Sequence, residues 1–164
     1  MPQVSRFGRI VLIVGVALVL AACSGKKNLT GADLSITGAA ATPGSSQEFV
    51  VNVGDRVFFL TDSVDFTPQA IATLNRQVQW LNQYPRYTFL IEGHADERGT
   101  REYNIALGAR RATAVRDYYV ARGVAANRMR VISYGKERPV AVCNDISCWS
   151  QNRRAVIVLN NAGV

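Results

Sequence analysis

The sequence predicts an α/β (α+β) sandwich in which helices pack on a mixed sheet, after a signal peptide and a flexible linker. Short β-rich apolar segments alternate with two long segments of helical periodicity, in the order β-α-β-α-β-β. Residues 49–164 have the length of an ordinary domain. Alternation of this kind favours helices layered on a sheet, although the order of the strands does not follow from it.

The chain begins with the features of an exported protein. Arg6 and Arg9 precede an uninterrupted apolar run at residues 10–22. That run is shorter than the roughly 20 residues needed to cross a bilayer and is typical of a secretory signal. It ends in small residues before Cys23, which resembles a bacterial lipobox. We predict a lipoprotein signal peptide at residues 1–22 and a lipidated Cys23. The alternative is a short uncleaved anchor with an incidental cysteine.

Residues 23–48 are predicted to be the lipidated N-terminus and a flexible linker. Gly, Ser, Thr and Ala dominate the segment, and it has no periodic apolar face. By resemblance to bacterial lipoproteins, a residue other than Asp after the cysteine, here Ser24, indicates sorting to the outer membrane. The expected location is therefore the outer membrane, with a lipid-anchored domain at residues 49–164 facing the periplasm.

The first strand is predicted at residues 56–60 and leads into the first helix. Thr67 followed by Pro68 is a helix start, because Pro fits the first helical position. Pro85 ends that helix. Four apolar residues fall on one face at helical spacing and are predicted to be buried: Ile71, Leu74, Val78 and Leu81.

The second strand, at residues 87–91, is predicted to be buried on both faces because it is almost continuously apolar. The segment GHADERGT follows it. Thr100 is then a suitable N-cap for the second helix, with Glu102 in the positive first turn. That helix runs to about Arg122, and Gly123 is its natural stop.

Strands at residues 130–134 and 154–160 complete the sheet, and the loop between them contains two cysteines. In an oxidising compartment, with Cys23 used by the lipid, Cys143 and Cys148 are predicted to form a disulfide that fixes this loop. A zinc site would need more Cys or His ligands than the chain offers. The spacing C-x4-C also differs from the redox motif C-x-x-C. We predict no metal and no cofactor.

Composition and motifs argue against two classes of function, nucleic-acid binding and catalysis. The net charge of +7 would suit a nucleic-acid partner, but export argues against one. No catalytic motif is present, and His94 is the only histidine. We expect its ring to bond to backbone in a structural role. A cell-wall hydrolase using the adjacent acids Asp96 and Glu97 remains an alternative, although paired catalytic carboxylates normally face each other across a cleft.

Asp96 and Arg111 indicate recognition. Asp96 follows the end of a strand, and helical spacing places Asn104, Leu107 and Arg111 on one face of the next helix. An arginine can bind a carboxylate through two hydrogen bonds while an aspartate binds an ammonium. Together they could hold a ligand that carries both groups. The alternative is an internal ion pair between Asp96 and Arg111 without any ligand.

Three segments carry a resemblance to a known family. They are IEGHADERGTREYNIALGARRATAV (91–115), SYGKERP (133–139) and NRRAVIV (152–158). Over about residues 50–160 the chain resembles OmpA-like peptidoglycan-binding domains. With the lipobox and the linker, it is similar to the lipid-anchored members of that family.

The resemblance implies a site that reads the meso-diaminopimelate of the peptidoglycan stem peptide. Asp96 and Arg111 would form the clamp for its ammonium and carboxylate. Further positions that match the family pocket are Arg98, Thr100, Asn104 and Leu107. Asp62 matches an acid that follows the family's first strand, in a segment of looser similarity. Arg153 and Arg154 match mainly structural positions, and Arg110 is interpreted as a solvated neighbour of Arg111.

The resemblance also implies a role and partners. Such a protein tethers the outer membrane to the cell wall and works with TolB and other Tol proteins in envelope integrity and cell division. An alternative to direct wall binding is a protein-interaction hub in which the helix face binds TolB. The cysteine loop departs from the family pattern, and its expected effect is on the rim of the pocket or on contacts with TolB.

Overall fold

A computed structural model of the chain describes residues 41–160. At its centre lies a mixed four-stranded sheet in the order β1-β4-β2-β3. β4 pairs antiparallel with both β1 and β2, and β2 pairs parallel with β3. The strands are Arg56–Phe58 (β1), Thr88–His94 (β2), Met129–Gly135 (β3) and Arg154–Asn160 (β4). The predicted mixed α/β sandwich is confirmed, and the last strand lies between the first two.

Two long helices cover one face of the sheet. They are Pro68–Gln83 (α2), which lies against β1, and Arg101–Val120 (α3), which lies against β2 and β3. Thr67 and Thr100 are the N-caps, since each hydroxyl accepts a hydrogen bond from a first-turn backbone N–H. Gly123 adopts φ +89° just after α3, as expected for a residue that ends a helix.

The core lies between the helices and the sheet. Leu74, Val78 and Leu81 are buried as predicted. The prediction is wrong for Ile71. This residue is 38 % exposed, because it lies at the margin of the apolar face in the first turn of α2. The prediction that the second strand is buried on both faces is also wrong. Leu90 is only half-buried, because both long helices pack on the opposite face of the sheet.

The last residues of the predicted linker fold onto the domain, so the predicted boundary at residue 49 is too late. A short helix, Ser46–Glu48 (α1), continues as a wider π-helical turn at Phe49–Gly54. The carbonyl oxygen of Gly44 accepts hydrogen bonds from the Tyr87 hydroxyl and from Arg86, both at 2.7 Å. Glu48 accepts one from the Trp80 indole at 2.8 Å. The composition of the segment did not predict these contacts, because one backbone carbonyl and one side chain make them.

The predicted cysteine loop contains a helix that the sequence did not reveal, Ile146–Asn152 (α4). Asp145 caps it by accepting a hydrogen bond from the backbone N–H of Ser147 at 2.8 Å. The predicted disulfide between Cys143 and Cys148 is formed and joins the segment before α4 to its first turn. A helix this short, rich in Ser, Cys and Asn, has too few apolar positions for its period to be recognised.

Within residues 41–160, no helix is long and apolar enough to cross a membrane. The predicted signal peptide at residues 1–22 and the lipidation site Cys23 lie outside the described residues.

Candidate functional site

The GHADERGT segment (residues 93–100) leads from the end of β2 into α3, and close packing of these elements fixes its path. A Cβ atom on Gly93 would collide with the carbonyl oxygen of Gly108, so α3 approaches β2 as near as two glycines allow. The side-chain amide of Asn104 donates hydrogen bonds to the carbonyls of Arg98 at 2.8 Å and Thr100 at 3.1 Å. Asn104 therefore holds the segment from inside α3.

Within residues 41–160, every hydrogen bond of Arg111 goes to a backbone carbonyl, and its guanidinium also lies over the Phe59 ring, 5.1 Å from the ring centre. Its guanidinium donates hydrogen bonds to the carbonyl oxygens of Ser63 at 3.0 Å, His94 at 2.8 Å and Leu60 at 3.0 Å. Its exposed fraction is 0 %, and burial lowers its pKa to about 10. Among residues 41–160, no carboxylate lies within 4.0 Å of this guanidinium. The arginine therefore brings a fixed positive charge with no ion-pair partner in the described part of the chain.

Asp96 has a different environment, because two arginines hold it. Arg98 donates to it from Nη2 at 2.7 Å and from Nε at 3.2 Å, and Arg153 donates from Nη1 at 3.2 Å. Burial raises the pKa of Asp96, but the hydrogen bonds from Arg98 and Arg153 outweigh it and lower the pKa below the ordinary value of 3.8. Asp96 is therefore ionised at neutral pH.

Asp96 and Arg111 line one cavity of about 240 Å³. Asp62 also lines it, in the left-handed conformation with φ 52°, and accepts a hydrogen bond from the Tyr103 hydroxyl. The cavity is lined by Thr61, Asp62, Asp96, Arg98, Gly99, Tyr103, Asn104, Leu107 and Arg111. Two carboxylates and two guanidinium groups thus surround a small partly apolar space, which suits a ligand bearing charges of both signs.

The structure brings together six of the seven residues predicted for the pocket, namely Asp62, Asp96, Arg98, Asn104, Leu107 and Arg111. Thr100 is not among the lining residues; its hydroxyl caps α3 instead. Sequence reasoning missed Thr61, Gly99 and Tyr103. Tyr103 could have been found, since it lies one turn before Leu107 on the same helical face. The alternative of an internal ion pair between Asp96 and Arg111 is not realised within the described residues.

The expectation for the His94 ring is wrong. The ring is buried, and neither of its nitrogens has a hydrogen-bond partner in the described part of the chain. Glu92 lies 3.4 Å from Nε2 and would favour a charged ring, but burial, with Arg154 and Arg138 nearby, outweighs it. The pKa of His94 falls to about 4, so the ring is neutral at pH 7. The contact of His94 with the site is made by its backbone carbonyl, which accepts from Arg111.

The tandem arginines between α4 and β4 differ in role. Arg153 donates hydrogen bonds to Asp96 and, at 3.1 Å, to the carbonyl of Phe59, so it links the site to the residue that follows β1. Arg154, the first residue of β4, donates to the carbonyls of Asn152 and Arg138 and so stabilises the chain that leads into the strand.

The two acids proposed for hydrolysis are both engaged. Asp96 is held ionised by its arginines and so cannot donate a proton at neutral pH. Glu97 accepts a hydrogen bond from the Trp149 indole at 3.1 Å. Within residues 41–160, no three His, Cys, Asp or Glu side chains come together as metal ligands.

Comparison with known proteins identifies the family. Residues 58–153 match the OmpA family. The chain belongs to the OmpA family. A peptidoglycan-associated lipoprotein of Rhizobium meliloti (strain 1021) is 65 % identical over 156 residues, which cover 94 % of this chain and 89 % of the relative. A peptidoglycan-associated lipoprotein of Mesorhizobium japonicum is 64 % identical and covers 93 % of each chain.

A solved structure supports the assignment of the chain to the OmpA family. The peptidoglycan-associated lipoprotein from Burkholderia pseudomallei superposes with a TM-score of 0.63 at 44 % identity, over 65 % of this chain and 90 % of that one. The OmpA family domain is thus shown by both sequence and fold. Its membership of this family confirms the prediction that the chain is not an enzyme.

Proposed function

We propose that the chain is an outer-membrane lipoprotein that binds the diaminopimelate stem peptide of peptidoglycan in the cavity at the end of β2. The observation that carries the proposal is the buried Arg111, whose three bonds to carbonyls leave further N–H donors of the guanidinium for a ligand. A buried cation without an ionic partner is costly, and a ligand carboxylate would relieve that cost. The names of the 60–65 % identical relatives support a wall ligand.

The arrangement of charges suggests how such a peptide would lie. The side-chain end of diaminopimelate carries a carboxylate and an ammonium. The carboxylate would bind Arg111, and the ammonium would lie between Asp62 and Asp96. Asp62 is the more available acid, because Asp96 already accepts from two arginines whereas Asp62 accepts only from Tyr103 in the described part of the chain.

Entry of the ligand requires a movement. Arg111 has no exposed surface, although it lines the cavity. Tyr103 is 43 % exposed and lines the cavity together with Asp62 and Arg111. We propose that the Tyr103 side chain rotates away from Asp62 as the peptide enters.

Calorimetric titration of the full chain in detergent micelles tests the proposal. We expect binding of a diaminopimelate-type stem peptide and weak binding of a lysine-type peptide, which lacks the side-chain carboxylate. Arg111→Ala and Asp96→Ala should each lower the affinity by at least about tenfold, the scale of one buried charge-assisted contact. Arg130→Ala removes an equal charge from an exposed site on β3 and should bind as the wild type does. Equal binding of the two peptides, or unchanged binding by both pocket variants, would rule the proposal out.

The proposed location and partners rest on the lipobox and on the relatives' names. Lipid on Cys23 would anchor the domain to the outer membrane, facing the periplasm, where it would act with TolB and other Tol proteins of the Tol–Pal system. Unchanged processing and membrane fractionation of Cys23→Ser would refute the anchor. TolB capture by the immobilised chain, with and without excess stem peptide, tests the partner; failure of capture would remove TolB, and competition would indicate a shared surface.

A further inference from the structure

The cysteine lobe (residues 136–152) contacts the GHADERGT segment at two separate points. Lys136, at one end of the lobe, donates hydrogen bonds to the carbonyls of Glu97 at 3.2 Å and Gly99 at 2.7 Å. Trp149, on α4, donates its indole N–H to the Glu97 carboxylate at 3.1 Å. The guanidinium of Arg98 lies over the indole ring, 4.2 Å from its centre. The lobe therefore supports the segment that carries Asp96.

These contacts continue to the carboxylate of the cavity. Arg98, whose side chain is 41 % exposed, makes a two-point contact with Asp96 and reaches the Thr61 hydroxyl at 3.4 Å. An exposed arginine side chain has many rotamers, and ordering it costs conformational entropy. A planar indole beneath the guanidinium restricts those rotamers through a cation–π contact. Arg153, the C-cap residue of α4, donates to Oδ2 of Asp96, the same oxygen that accepts from Nη2 of Arg98.

Covalent and polar contacts fix the lobe itself. The disulfide joins Cys143 to Cys148, the residue that precedes Trp149. The side chain of Asn152, at the end of α4, accepts hydrogen bonds from the backbone N–H groups of Val140 and Ala141 and donates one to the carbonyl of Ala141. The first turn and the last residue of α4 are thus tied to residues 140–143, in the irregular segment before it.

We propose that Trp149 is a positioning residue of the cavity: it orders Arg98 and thereby the Asp96 carboxylate, and the disulfide holds α4 where Trp149 can do so. This inference deepens the proposed function and rests on it for its binding consequence. Its structural part, the ordering of Arg98, is independent of any ligand.

Nuclear magnetic resonance of the full chain in detergent micelles tests the structural part. A proton above an indole ring is shifted upfield, so the Arg98 Hε signal should be displaced in the wild type. The displacement should be lost in Trp149→Ala and reduced in Cys143→Ser/Cys148→Ser. Gln151→Ala, an exposed position on the same helix, is the matched control and should keep it. An Arg98 signal unchanged by Trp149→Ala would overturn the inference.

Titration with the diaminopimelate-type stem peptide tests the binding consequence. Trp149→Ala and the double serine variant should each weaken binding by about three- to tenfold, the range of a single cation–π contact. Trp149→Phe keeps an aromatic ring and should recover most of the affinity, which a variant that merely misfolds would not do. Arg98→Ala/Trp149→Ala should bind no more weakly than Arg98→Ala, because Trp149 acts through Arg98.

Losses that add in the double variant, or wild-type affinity in Trp149→Ala, would show that Trp149 does not position the site. If the wild type itself bound no stem peptide, the proposed function would fail, and the Arg98 signal would still decide whether Trp149 orders the side chain.

Discussion

At Arg111 three backbone carbonyls accept the guanidinium's hydrogen bonds, and no carboxylate lies within 4.0 Å of it in the described part of the chain. The residue types of the site could be predicted from the sequence, because an acid after a strand and an arginine on the next helix are visible there. The carbonyl bonds could not, since every residue has a carbonyl and only the fold selects which ones meet Arg111. The pairing of Asp96 with Arg153 could not be predicted either, because these residues lie 57 positions apart and only the fold brings them together.

The buried His94 should lower the free energy of unfolding as the pH falls. Its pKa is about 4 in the folded chain and near 6.5 when unfolded, so the unfolded chain takes up the proton first. Its contribution is complete above about pH 6.5 and is lost as the pH falls through that value towards 4, by on the order of 3 kcal/mol for a shift of this size. His94→Gln should flatten the profile of urea midpoint against pH in that range.

A substitution at the neighbouring Glu92 is the control, because it should change the profile of urea midpoint against pH in the opposite direction. Glu92→Gln removes a carboxylate 3.4 Å from Nε2 that favours a protonated His94, so the profile of this variant should steepen at the acid end. Parallel profiles for the wild type and His94→Gln would contradict the assignment of a neutral buried ring.

The contact between α3 and β2 depends on two glycines. By helix propensity alone, Gly108→Ala should stabilise by about 1 kcal/mol. A Cβ there would instead meet the Ser133 hydroxyl and the backbone of Gly93. We expect a net loss of about 2 kcal/mol in urea unfolding, within the usual range for overpacking. Ala106→Gly, at an exposed position of α3, should also destabilise, by about 1 kcal/mol. If Gly108→Ala were more stable than the wild type, the close contact would be wrong.

Elements with strong local signals were predicted within a few residues of their true ends. Thr67 and Thr100 fixed the helix starts because N-caps are local chemistry. The order of the strands could not be predicted, since β4 enters between β1 and β2 through contacts distant in sequence. Helix α4 escaped detection because its stability comes from the Asp145 cap, the disulfide and its contacts with the GHADERGT segment.

At the scale of the described domain, the N-terminal segment (residues 42–48) and the cavity lie at opposite ends of β2. The segment bonds to Arg86 and Tyr87, just before Thr88, whereas the cavity begins after His94. Shortening the full chain by deleting residues 42–48 should lower the free energy of unfolding by about 2–4 kcal/mol, since several buried hydrogen bonds are lost. Unchanged stability of this deletion variant would restore the predicted boundary at residue 49.

That separation has a mechanical consequence. A pull between the N-terminal segment and a ligand in the cavity would act along β2, over roughly 20 Å of strand. β2 has neighbours on both sides, β4 and β3, which hold it extended. Because the pull would enter and leave at the two ends of this one strand, its covalent backbone would carry the load, and the hydrogen bonds to β4 and β3 would not be sheared. Under the proposed function, tension between membrane and wall would therefore pass along one central strand and not across the sheet.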